Sequence, residues 1–190
     1  MLVILVLVYR SFLLPIVVLS TSLFALCVAL LVVWWLAKFE VLLLSGQTQG
    51  ILFILVIGAA TDYALLFVAR FREELRVVQD KGTAVLAAWK GSFEPIVASG
   101  GTVIAGLLCL LLSDLKSNST LGPVAAIGIV FAMLAALTLL PALLLLFGRA
   151  VFWPRRPKFE PEVGAEEHGM RKTGLWARLA GMLTKSPRAI

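Results

Sequence analysis

The sequence predicts an all-α fold, a polytopic membrane helix bundle, on three observations. Of its 190 residues, 61% are hydrophobic and 15% are charged, whereas an average soluble domain is about 45–50% apolar and about 25% charged. Too little polar surface is left to cover a water-soluble globule, and the chain is far too apolar to be disordered. The apolar residues gather into four long stretches, each near the roughly 20 residues that cross a bilayer. Lys and Arg are confined almost wholly to one side of those stretches, as in membrane proteins with a fixed orientation.

Taken in order, Met1–Tyr9 is apolar but has nine residues, about 13 Å of helix, against about 30 Å of hydrocarbon. Its charge, Arg10, follows rather than precedes it, which excludes a signal peptide. It reads as the end of a helix, a partial span over 1–9. The first complete span covers about 12–36, with Trp34 and Trp35 as interfacial aromatics near its end. A loop to Gln49 follows, in which Val41–Leu44 is too short to cross. The next span covers 50–69 and stops at Arg70, Arg72, Glu73, Glu74 and Arg76. The helix is expected to continue beyond the membrane there, with Glu73 and Glu74 paired to basic residues at helical spacing. Lys81-Gly82 is expected to break it, and Thr83–Lys90 to form a short interfacial helix anchored by Trp89.

A further span covers 93–113, a polar loop 114–120, and a last span 121–147. Pro123 suits the first turn of that last span, and Pro141 should kink its far end. The transmembrane bundle is therefore 1–148. Residues 149–173 hold Pro154, Pro157, Pro161 and four Glu and read as a solvated linker. Residues 174–190 place Leu175, Trp176, Leu179, Met182 and Leu183 on one face, an amphipathic interfacial helix. Ser186-Pro187-Arg188 then leads toward another span.

The net charge is +6. Fifteen of the 17 Lys and Arg lie with Arg10, the Arg70–Lys90 segment and the tail, and two (Lys38, Lys116) lie opposite. This asymmetry puts the tail in the cytoplasm and accounts for the basicity without a nucleic-acid partner. Cys27 and Cys109 sit inside apolar runs and read as small lipid- or core-packed residues, not as a disulfide framework or a metal site. The single histidine, His168, lies in the polar tail, so neither a His metal cluster nor a Ser–His pair can be built. There is no HExxH and no P-loop. An intramembrane aspartyl protease needs two acids at depth, and Asp114 and Glu94 lie at the edges. The sequence therefore predicts no enzyme.

Asp62 stands apart from the other acids. It lies eight residues from Arg70, about 12 Å of helix, near the bilayer midplane. An ionised side chain there costs several kcal/mol unless it faces the bundle interior and finds a partner. Its ordinary reading is a polar residue joining two helices; its functional reading is a proton carrier. Gly58, Ala59, Ala60 and Thr61 precede it, small enough to let another helix approach, and Thr61 and Tyr63 add hydroxyls beside the acid. Tyr63 is about 100° from Asp62 around the helix, so both are expected to reach one facing helix. In the next span Ala98, Ser99, Gly100, Gly101, Thr102, Ala105 and Gly106 form a small-residue stripe. It reads first as a helix contact, with the hydroxyls of Ser99 and Thr102 as possible support for a proton path. Glu94 reads as a dipole-favoured residue near a helix start. Gly46-Gln47-Thr48-Gln49-Gly50 has GxxxG spacing but straddles a boundary.

The run Gly58-Ala-Ala-Thr-Asp62-Tyr63-Ala-Leu-Leu-Phe-Val-Ala-Arg70-Phe-Arg72-Glu73-Glu74 resembles the fourth-helix motif of the MmpL family, within the resistance-nodulation-division (RND) superfamily of proton-driven exporters. Gly46-Gln-Thr-Gln-Gly50 and Ser113-Asp-Leu-Lys-Ser-Asn-Ser-Thr-Leu-Gly-Pro123 are similar to the same family, and the resemblance covers essentially the whole chain. It implies that 1–9 ends helix 2, that the complete spans are helices 3 to 6, and that 174–190 leads to helix 7. It implies that Asp62 and Tyr63 supply the helix-4 half of a proton relay completed by helix 10, with protons as the coupling ion and no cofactor. The implied partners are the bilayer, a lipid or other amphiphile as substrate, and the remainder of the transporter: helices 1 and 7–12 and two porter domains. The implied location is a bacterial plasma membrane. The other function class is a non-transporting bundle, sterol-sensing-like or accessory, or a decayed truncated gene product; the Asp62–Tyr63 pair is what separates them.

Overall fold

The computed structural model describes residue 11 and residues 13–40, 45–113 and 116–153, with the backbone alone at 116–119. Expectations for 1–9, Asp114 and the segments 154–173 and 174–190 lie outside these residues. The described chain is helical: α1 (Leu13–Lys38), α2 (Gly46–Val77), α3 (Lys81–Leu108) with a 3₁₀ extension at Cys109–Leu112, α4 (Lys116–Leu137) and α5 (Leu139–Phe147), closed by a 3₁₀ segment at Gly148–Phe152. α4 and α5 are halves of one crossing, so the bundle has four helical spans long and apolar enough for a membrane. α2 and α4 pack along one another and each touches both α1 and α3, which stand on opposite flanks.

Capping fixes where the helices begin. The Ser45 side chain accepts the Thr48 N–H at 3.2 Å, so α2 takes in Gly46–Gly50 as its first turns. Asp80 accepts both the Thr83 N–H at 2.8 Å and its hydroxyl at 2.9 Å. These bonds, the backbone one first, hold the Asp80 carboxyl below its ordinary range. The turn between α2 and α3 therefore falls at Val78–Asp80. Lys81-Gly82, expected as the break, opens α3 instead, because the Asp80 cap outweighs one glycine. The separate interfacial helix expected at Thr83–Lys90 is not separate: α3 runs from it straight into the span. Pro95 withholds one N–H, from the Gly91 carbonyl, and the helix continues through it.

Prolines shape the last crossing. α4 begins at Lys116, so Pro123 lies inside the helix rather than in its first turn. Gly122 precedes it and has no Cβ to clash with the proline ring. The same glycine lets α3 approach: a Cβ there would stand 2.4 Å from the Leu107 carbonyl oxygen. Pro141 has no N–H for the Leu137 carbonyl, and the helix breaks at Thr138. The Trp89 indole N–H of α3 donates to that freed carbonyl at 3.0 Å.

The core forms two clusters stacked along the bundle axis. One joins Leu14 and Val18 of α1, Phe67, Phe71 and Leu75 of α2, Ala88 of α3, Leu144 of α5 and Phe152. The other joins Leu26 and Val33, Leu52, Val56 and Tyr63, Ile96, and Val124 and Ala136. The first is tied off by polar groups. Ser11 Oγ donates to the Val151 carbonyl. Arg149 Nη2 donates to the carbonyls of Leu75 at 3.0 Å and Val78 at 3.2 Å, which the end of α2 would otherwise leave unpaired.

Candidate functional site: the Asp62 surface of α2

Asp62 sits about halfway along α2, where the two core clusters meet: Tyr63 belongs to one and Ala64 to the other. The helix is 32 residues long, about 48 Å at 1.5 Å per residue, so Asp62 is roughly 24 Å from either end. That keeps it at mid-membrane depth.

Asp62 and Tyr63 were expected to reach one facing helix, which the resemblance puts outside this chain; among the described residues the 100° step between them separates the two. Tyr63 is buried, 7% exposed, between α3 and α4, while Asp62 is exposed on the outside of α2. It lies on a stripe at i±4 spacing with Ile54, Gly58 and Leu66, of which Ile54 is 79% and Leu66 43% exposed. Among the described residues Asp62 makes no hydrogen bond or ion pair. An acid pointing outward at this depth costs about 2.5–3.5 kcal/mol against lipid.

The other candidate residues divide by seam. Tyr63 packs with Ile96 of α3 and Val124 of α4, and Ser99 is exposed on α3. Thr61 faces the other way: its hydroxyl donates to the Ile57 carbonyl at 2.7 Å and pairs with Ser22 Oγ of α1 at 3.1 Å. Gly100 is covered by Met133 of α4, whose sulfur would stand 2.1 Å from an added Cβ. Gly101 has nothing within 4 Å of such a Cβ. Thr102 is exposed and returns its hydroxyl to the Ala98 carbonyl at 2.9 Å. The small-residue stripe is therefore half used within the bundle and half left open.

At the basic end of α2, Arg70 pairs with Glu73 at 3.2 Å and approaches Glu74 at 3.9 Å. These are exposed pairs of little energetic weight. Arg70 also lies over α3, where a Cβ on Gly91 would stand 2.9 Å from its Nε. Among the described residues no group of His, Cys, Asp and Glu could hold a metal ion. Sequence reasoning missed Ser22 and Arg149. Ser22 could have been found as a hydroxyl at depth in an apolar span; nothing in the local sequence marks Arg149 as the cap of a helix some 70 residues earlier.

The comparisons with known proteins agree with this architecture. The MMPL family profile matches residues 1–190. A membrane protein of Streptomyces coelicolor is 53% identical over 189 residues, covering 100% of this chain and 26% of that protein. The apo-petrobactin exporter of Bacillus anthracis is 36% identical over 157 residues, 83% of this chain and 21% of the exporter. The siderophore exporter MmpL5 of Mycobacterium tuberculosis is 33% identical over 175 residues, 90% of this chain and 17% of the exporter. The chain thus spans about a quarter of these relatives' length or less. A match along its whole length makes this chain a member of the MMPL family.

Proposed function

We propose that this chain forms part of a proton-driven exporter of lipids or other amphiphiles, in which Asp62 carries the coupling proton. The observation that carries the reading is the outward-facing acid at mid-membrane depth, on a helix face lined by Gly58 and Leu66. A carboxylate has no cheap place against lipid tails, and small residues beside it suit a close helix contact. The occupant of that face is a helix from the rest of the longer protein, which closes around Asp62. Tyr63, one position along the helix, is the second residue of the relay. Protonation neutralises Asp62 and weakens its pairing across the contact, and the change biases a rocking of the two halves. The basic end bearing Arg70–Lys90 faces the cytoplasm of a bacterial plasma membrane. Two relatives are named as exporters of siderophores or apo-petrobactin; this supports export as the activity, and the cargo of this chain is proposed only as an amphiphile.

The test is Asp62→Asn in the longer protein. The substitution keeps the shape and removes the titrating group, so export stops while protein level in the membrane is unchanged. Export at the normal rate by that variant overturns the relay.

A further inference from the structure

The break at Pro141 opens a groove on the outside of the bundle, at its basic end. α3 supplies Leu86 and Trp89 to one wall, and Leu137, Pro141, Ala142 and Leu145 supply the other. The groove holds about 580 Å³, within the roughly 300–1,000 Å³ usual for small-ligand sites. Its walls are almost wholly apolar. The two polar groups that could interrupt them are already engaged: the Trp89 indole N–H on the Leu137 carbonyl at 3.0 Å, and the Thr138 hydroxyl on the Leu134 carbonyl.

Charge lies at one end only. The groove ends at Gly82, and the preceding residue, Lys81, spans the gap between its two walls. The Lys81 stem lies against Gly148 at the end of the last crossing, 3.3 Å from where a Cβ there would stand. Lys81 is exposed and makes no ion pair among the described residues. The neighbouring acid, Asp80, accepts two hydrogen bonds from Thr83 and also feels the Lys81 charge without a direct ion pair. An apolar slot about two helical turns long, with an exposed lysine just beyond its end at the basic membrane surface, suits an acyl chain attached to a phosphate-bearing head.

We propose that this groove binds an anionic phospholipid of the leaflet at the basic end, with one acyl chain between α3 and α5 and its phosphate on Lys81. Basic pockets between helices on this side of a membrane suit such headgroups. The site is distinct from Asp62 and does not depend on transport.

The test is native mass spectrometry of the full chain released from micelles containing equal phosphatidylglycerol and phosphatidylcholine. The wild type retains phosphatidylglycerol about fivefold more than phosphatidylcholine, the share one lysine contributes at a membrane surface. Lys81→Gln removes that preference, whereas Lys90→Gln keeps it. Ala142→Phe, which fills the slot, removes retention of both lipids. As a second readout, phosphatidylglycerol with brominated chains quenches Trp89 fluorescence in a chain whose other tryptophans are replaced by Phe. Equal retention of both lipids by the wild type, or an undiminished preference in Lys81→Gln, overturns the headgroup assignment. Retention by Ala142→Phe, or an unquenched Trp89, overturns the groove and leaves that surface to another part of the protein.

Discussion

A glycine in a membrane helix has meaning only through what its missing Cβ would touch. Three glycines near the α3–α4 seam look alike in sequence and differ in this respect. At Gly122 an added Cβ meets the Leu107 backbone carbonyl at 2.4 Å, which cannot swing aside. At Gly100 it meets Met133, a flexible side chain that can move. At Gly101 it meets nothing. Gly122→Ala is therefore expected to destabilise the bundle by about 1–3 kcal/mol, the usual cost of overpacking, and Gly100→Ala by less. Gly101→Ala is expected to be neutral, or stabilising by up to about 1 kcal/mol through helix propensity. Thermal unfolding of the three variants in one detergent gives the order directly. Equal melting of Gly122→Ala and Gly101→Ala would show that the seam is looser than the geometry says. The depth of Asp62 was legible at this same scale, because counting residues to Arg70 is enough. Its direction was not. A hydrophobic run such as Ile51–Ala69 has no polar face to announce which side is inward, and the Asp62–Tyr63 step could be turned either way.

Among the elements, the local signals in the sequence located most helix ends and misjudged two junctions. The break near Pro141 follows from a missing N–H and needed no tertiary information. The continuity of α3 through Lys81–Leu108 did, since Gly82 and Pro95 each argue for interruption and the Asp80 cap and the packing of Ala84, Val85 and Ala88 override them. Long-range caps were invisible. Arg149 closes the end of α2 from the far end of the fold, its Nη2 donating to the carbonyls of both Leu75 and Val78. Its removal leaves those carbonyls to water, a loss of roughly 1 kcal/mol confined to the last turn. Arg149→Ala should accordingly raise amide exchange about fivefold in the peptide around Leu75–Gln79 while leaving that around Asp62 unchanged, as read by hydrogen–deuterium exchange. A uniform rise along α2 would mean that Arg149 holds the whole helix rather than its end.

At the scale of the molecule, the four spans bury residues such as Ala60, Ala88, Phe67 and Phe71 against one another and leave two kinds of outer surface. One is apolar throughout, as at Leu23, Phe24 and Leu31 of α1, and suits lipid. The other, along Gly58, Asp62 and Leu66 of α2, combines an acid with space for a close neighbour. Hydrocarbon cannot serve both equally well, and the difference should be measurable by access. With Cys27 and Cys109, both exposed, replaced by Ala, Leu66→Cys presents a single thiol on the Asp62 stripe. In the 190-residue chain a membrane-permeant maleimide should label it readily. In the longer protein the proposed partner helix covers the stripe, and labelling should fall at least tenfold, while Leu23→Cys on α1 labels alike in both. Equal labelling of Leu66→Cys in the two contexts would leave Asp62 facing lipid without a neighbour. The contact on which the relay depends would then not exist.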